Sequence, residues 1–133
     1  MSWDFIPIPF DHIAEEHLQK AIERDRTASV AALQANCRQG IGKLYGVFKD
    51  TARVGSILLK LDKCDSGDYE LVVVAAGGNV GIDGLLASYK FFDEEARRKG
   101  AKFIRMHIVR PALFRMAEHN GYIEADRVFR KEI

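Results

Sequence analysis

The chain has 133 residues, 47% of them hydrophobic and 29% charged, with a formal net charge of +1. A chain of this length forms one domain that buries roughly two thirds of its unfolded surface, so it needs no disulfide staple. Two cysteines without metal-type spacing, no signal-peptide pattern and no bilayer-length apolar run exclude a secreted disulfide scaffold, and the expectation is a cytoplasmic protein with no metal and no membrane partner.

The charge is uneven. From Arg97 to Ile133 ten basic residues stand against four acidic ones, a net of +6, which leaves −5 for the remainder. A basic C-terminal quarter suits a phosphorylated ligand or an acidic partner surface. Nucleic acid is not expected, because no zinc, helix-turn-helix or aromatic-basic signature accompanies the charge.

Residues 1–10 contain WDFIPIPF, and Pro7 and Pro9 restrict this stretch to an edge strand or an extended arm. Its apolar side chains dock either on the domain's own core or on a neighbouring subunit. Asp11 can cap a helix starting at His12, with Ile13, Leu18, Ala21 and Ile22 as its apolar stripe. Thr27 or Ser29 opens a second helix, which Gly40 or Gly42 ends. His12 and His17 are five apart and do not share a helix face, so they make no metal pair.

From Lys43 the period becomes that of strands. KLYGVFK, RVGSILLKLD and YELVVVAA, separated by short polar turns, predict an antiparallel meander of three strands. The run LVVV then passes through Gly77-Gly78-Asn79-Val80-Gly81 into a helix carrying Leu85, Tyr89, Phe92 and Ala96 on one stripe and closing on Arg97-Arg98-Lys99 before Gly100. Strand, glycine turn and helix start together form a place that can hold a phosphate, since helix-start amides lack partners and glycine lets a ligand reach the backbone. KFIRMHIV follows as a strand, Pro111–His119 as a short helix ended by Gly121, and Tyr122–Ile133 as closing extended structure.

This succession, and the stretch RPALFRMAEHNGYIEADRVFRKEI in particular, resembles the GNAT superfamily of N-acetyltransferases over nearly the whole chain. The resemblance implies a single α/β (α+β) domain over residues 1–133, a mixed and mostly antiparallel sheet with helices on both faces. In that fold two neighbouring parallel strands part to admit the pantetheine arm of acetyl-CoA. It implies that Val73, Val74 and Ala75 offer backbone groups to pantetheine, that the amides of Gly77, Gly78, Asn79, Val80 and Gly81 wrap the pyrophosphate, and that Arg110 or Arg115 meets the nucleotide phosphates. The loop departs from the family pattern at Asp83, where a small residue is usual; its carboxylate is expected to cap the helix and repel phosphate. Ala117 stands where a tyrosine acid is often found.

Acyl transfer to an amine needs a base for the incoming ammonium and donors for the developing oxyanion. Glu70 and His107 are the candidate bases. AAGGNVGID, NGY and the terminal RKEI are also similar to small GNAT-like proteins encoded by tailed bacteriophages. The expected function is therefore acetyl-CoA-dependent acyl transfer to an amine. The alternative is a non-catalytic virion, assembly or interaction protein that meets a protein partner or a second copy through residues 1–10, in the host cytoplasm or the virion.

Overall fold

The computed structural model describes residues 2–108 and 110–133. Its sheet has five strands in the order β1 (Trp3–Pro7), β2 (Gly42–Lys49), β3 (Ala52–Lys63), β4 (Tyr69–Gly78) and β5 (Phe103–Met106). The first three neighbour pairs are antiparallel; β4 and β5 are parallel. A parallel pair needs a crossover, and α3 (Gly81–Arg98) supplies it. The meander is as the strand pattern predicts, and the mixed sheet is as the resemblance implies.

Helices cover both faces. On one, Tyr89, Phe91, Phe92 and Ala96 of α3 pack on Tyr45, Val47, Ile57, Leu59, Leu71 and Val73. On the other, α1 (His12–Ile22) and α2 (Val30–Arg38) bring Ala14, Leu18 and Leu33 onto Leu44, Leu58 and Ala75. Alternation along β3 explains the division, since Ile57 and Leu59 face α3 while Leu58 faces α1. The N-caps are the expected ones: Asp11 accepts from the Ala14 amide at 2.9 Å and Ser29 from the Ala32 amide at 3.2 Å.

The N-terminal arm is the edge strand β1, and its side chains go to the domain's own core. Phe5 stacks on Phe91 with ring centroids 4.3 Å apart, and Trp3 also packs on the α3 side. Beyond the strand Ile8 and Phe10 turn to the α1 side, while Ile6 stays exposed.

Two expectations for the C-terminal part are corrected. The strand predicted over KFIRMHIV is ordered as β5 for four residues only, and Val109 of that stretch lies outside the described residues. Among the described residues no strand follows β5; Tyr122–Ile133 runs without strand pairing after the helix α4 (Phe114–His119). Tyr122 is held against Tyr89 on the α3 side, whereas Arg130 and Glu132 meet Asp25 and Arg26 between α1 and α2. Anchored at those two points, the segment leaves Ile123, Val128 and Phe129 bare instead of laying them along β5.

Candidate functional site

The parallel pairing of β4 with β5 covers only Glu70–Val73 against Phe103–Met106. β4 continues to Gly78, so Val74–Gly78 extend past the last pair with no β5 neighbour. At that point β4 carries a bulge: Leu58 faces Ala75 and Leu59 faces Val73, which leaves Val74 as the extra residue. A bulge interrupts regular pairing with β3 and re-aims the strand just where β5 ends and its pairing with β4 stops. Val73, Val74 and Ala75 thus stand at and just past the end of the β4–β5 pairing.

The glycines beyond the bulge have separate physical reasons. A side chain on Gly77 would begin where the carbonyl oxygen of His17 lies, because α1 crosses β4 there with backbone on backbone. Gly78, at φ +127°, is pressed against the backbone of Val54 and Gly55 in β3. Only Gly81, at φ +68°, has open space where its side chain would be. The Asn79 amide is spent on the Val54 carbonyl at 2.9 Å. The first amide bonded within α3 is that of Gly84, to Val80 at 3.3 Å, and no side chain caps the helix.

These facts change the expected cradle. Packing accounts for Gly77 and Gly78, and the amides available to an anion belong to the start of α3, from Gly81 to Asp83. The expectation that Asp83 caps the helix is corrected as well: its exposed side chain makes no cap bond. The carboxylate projects from the first turn, where the exposed apolar side chains of Ile82 and Leu86 flank it.

The two candidate bases stand apart. Glu70 lies at the closed end of the β4–β5 pair, opposite Phe103, with its Oε1 3.3 Å from Arg105 Nε. Arg105 is shared with Asp62, also at 3.3 Å. His107 follows the last paired residue of β5, exposed, at the end where the pairing with β4 stops. Arg110 reaches Glu23 at the end of α1 at 3.7 Å, and Arg115 is exposed on α4. The fold therefore brings His107, Val73, Val74 and Ala75 to one end of the sheet and leaves Glu70 at the other end of the pair.

A second cluster lies on the α1 side of the turn and is not evident from the sequence. A cleft of about 890 Å³ is lined by His12, Glu15, Glu16, His17, Gln19, Lys20, Arg53, Val54, Gly78 and Asn79. At its wall His17 Nδ1 lies 2.8 Å from the hydroxyl of Ser56, which is fully buried. Arg53 donates to Asp11 at 2.6 Å and approaches the same hydroxyl at 3.5 Å. The Arg53 guanidinium holds the Asp11 carboxyl down at about 2, and burial, followed by Arg53, lowers His17 from the ordinary histidine value of 6.5. The one sequence signal for this cluster is Gly77, since a glycine at the end of a buried strand can mark close backbone approach. Among the described residues no group of three His, Cys, Asp or Glu could hold a metal, and no helix is long and apolar enough to cross a membrane.

No family model matches the sequence, and no curated protein does. Solved structures match by fold. A ribosomal-protein-alanine N-acetyltransferase from Brucella melitensis biovar Abortus 2308 superposes with a TM-score of 0.74 at 11% identity, covering 99% of each chain. An acetyltransferase of Trypanosoma brucei gives 0.69 at 13% identity over 99% of this chain and 100% of that one. A transcriptional regulator from Bacillus halodurans C-125 gives 0.73 at 13% identity over the same shares. The fold is the α/β fold of the GNAT acetyltransferases. Identities this low carry architecture, and chemistry has to be argued from the site.

Proposed function

We propose that the protein is a GNAT-like N-acyltransferase that takes acetyl-CoA and an amine. The observation that carries this reading is the stretch of β4 from Val74 to Gly78 that runs on past the end of its pairing with β5, next to a helix whose first amides have no side-chain cap. An uncapped helix start concentrates positive partial charge and unpaired donors, which suits a pyrophosphate. Gly81 adds open space at that spot. The residues present therefore fit the cofactor, with Asp83 as the opposing charge.

In this reading the backbone of Val73, Val74 and Ala75 aligns the pantetheine arm, and the amides at the start of α3, from Gly81 to Asp83, hold the phosphates, with Gly77, Gly78, Asn79 and Val80 shaping the turn that presents them. Arg110 and Arg115 supply positive charge for the nucleotide. The cofactor supplies an activated acyl thioester. His107, just past the last β4–β5 pair, takes the proton from the incoming ammonium; Glu70 keeps Arg105 in place at the other end of the pair. The alternative of a phage scaffold that meets partners through residues 1–10 is less well supported, because the Trp3 and Phe5 side chains that motivate it are engaged by α3.

Calorimetric titration with acetyl-CoA tests the proposal. Saturable heat is expected, and Asp83→Gly should tighten binding by about fivefold or more, because a unit charge a few ångström from phosphate costs on the order of 1 kcal/mol. No heat at millimolar ligand overturns the cofactor assignment. Equal affinity in Asp83→Gly overturns the placement of the phosphates.

A further inference from the structure

We propose that His17 is a positioning residue for the glycine turn: its bond to Ser56 holds the backbone of α1 against Gly77, and protonation of its ring loosens that contact and the start of α3 beyond it. The consequence for ligand binding rests on the proposed function; the contact itself does not.

Ser56 is the register partner of Gly77, so the His17–Ser56 bond ties α1 to β3 at the level where α1 crosses β4. The hydrogens can be counted. In the neutral ring that carries its hydrogen on Nε2, the Ser56 hydroxyl donates to His17 Nδ1 while its oxygen accepts from Arg53. A proton on Nδ1 would reverse that bond, force the buried hydroxyl hydrogen away from its present acceptor and set a positive ring beside Arg53.

The charges around the ring do not compensate. β3 presents Arg53, the helix cap presents Asp11, already paired with Arg53, and α1 itself presents Glu16 and Lys20. β4 presents the backbone of Gly77 and Gly78, and the turn after it presents Asn79. Burial and Arg53 hold the imidazole neutral at pH 7, below its ordinary value. The link onward is short: Gly78 packs on Val54 and Gly55, Asn79 bonds Val54, and Val80 begins α3.

The molecule carries its own reporter. Trp3, the single tryptophan, lies over Gly84 in the first turn of α3, where an added methyl group would be 2.6 Å from its ring. Trp3 fluorescence and the amide exchange of Gly77–Asp83, corrected for the intrinsic pH dependence of exchange, are followed in the ligand-free full chain from about pH 8 to about pH 5.

The wild type should show a transition below 6.5 in both signals, with roughly a tenfold loss of protection per unit by which the ring's pKa is displaced. His17→Asn, whose amide can keep the bond to Ser56 without titrating, should be protected throughout, and Ser56→Ala should be loosened throughout. A flat wild-type curve, or a His17→Asn curve that follows the wild type, overturns the proposal. Acetyl-CoA titration at both ends of the series separates the two readings. A His17-dependent transition with no acetyl-CoA binding at either pH keeps the latch and removes the cofactor. Binding with a flat exchange curve keeps the cofactor and removes the latch.

Discussion

A methyl group at Gly77 meets the His17 carbonyl, whereas one at Gly81 meets nothing within 4 Å, so these two glycines should fail in different ways. Gly77→Ala has to push one backbone off another and should cost about 1–3 kcal/mol or more in urea unfolding. Gly81→Ala is strained only by its left-handed backbone, at about 1–2 kcal/mol, and Gly81→Asn should recover most of that because asparagine tolerates the conformation. If Gly81→Asn is as unstable as Gly81→Ala, backbone handedness is not the reason for that glycine. The candidate bases divide in the same residue-level way. Glu70→Gln should leave the rate of acyl transfer within a few-fold of wild type, since Glu70 stands at the closed end of the strand pair, while His107→Ala should lower it by about 100-fold, the usual contribution of a general base. The reverse order in steady-state rates would exchange the two assignments.

At the scale of elements, α1 is the piece on which the turn depends, and it is secured at its first residue. Asp11 both caps the helix and pairs with Arg53, whose side chain is only 13% exposed. Asp11→Ala should therefore cost more than a cap alone, about 2 kcal/mol, against about 1 kcal/mol for Ser29→Ala on α2, where the cap has no ion pair behind it. Asp11→Asn retains the cap and should fall between them. Equal urea midpoints for Asp11→Ala and Ser29→Ala would show that the Arg53 pair adds nothing. α3 is secured differently: Glu95, buried and drawn upward by desolvation, is brought below the usual carboxylate value by bonds from Arg98 and Tyr45, and this ties the last turn of α3 to β2.

For the molecule as a whole, the arm and the acid response bear on the fold. β1 completes the sheet edge and places Phe5 on Phe91, so Phe5→Ala should lower stability by about 2–3 kcal/mol, equally in dilute and concentrated protein. A loss seen only at high concentration would return the arm to a partner-binding role. In acid, His17 has a folded pKa below its unfolded 6.5, so its contribution is complete above that pH and is lost as pH falls through it toward the lower folded value. Asp11, about 2 in the fold against 3.8 outside it, contributes above 3.8 and fades toward 2. Stability should thus decline in two separate acid steps, and His17→Asn should abolish the first; urea midpoints against pH measure both.

The order of strands and helices was legible in the chain because it is written locally. Asp11 and Ser29 announce helix starts, period-two runs announce the meander, and Arg97-Arg98-Lys99 before Gly100 announces an end. The glycine turn was legible as a turn, but the use of each glycine was not, because Gly77 and Gly78 answer to α1 and β3, elements distant in sequence. The same holds for His17, Ser56 and Arg53: 39 residues separate the first two, and nothing in the spacing joins them before α1 is laid across β4. Tyr122–Ile133 shows the converse, a segment expected to close the fold in extended form that lacks strand pairing, since a strand exists only where another offers its edge. Local propensity and capping thus determined the elements from sequence alone, while close backbone packing, hydrogen bonds between distant residues and the length over which β4 pairs with β5 were decided by tertiary structure, because each depends on where two remote stretches come to rest.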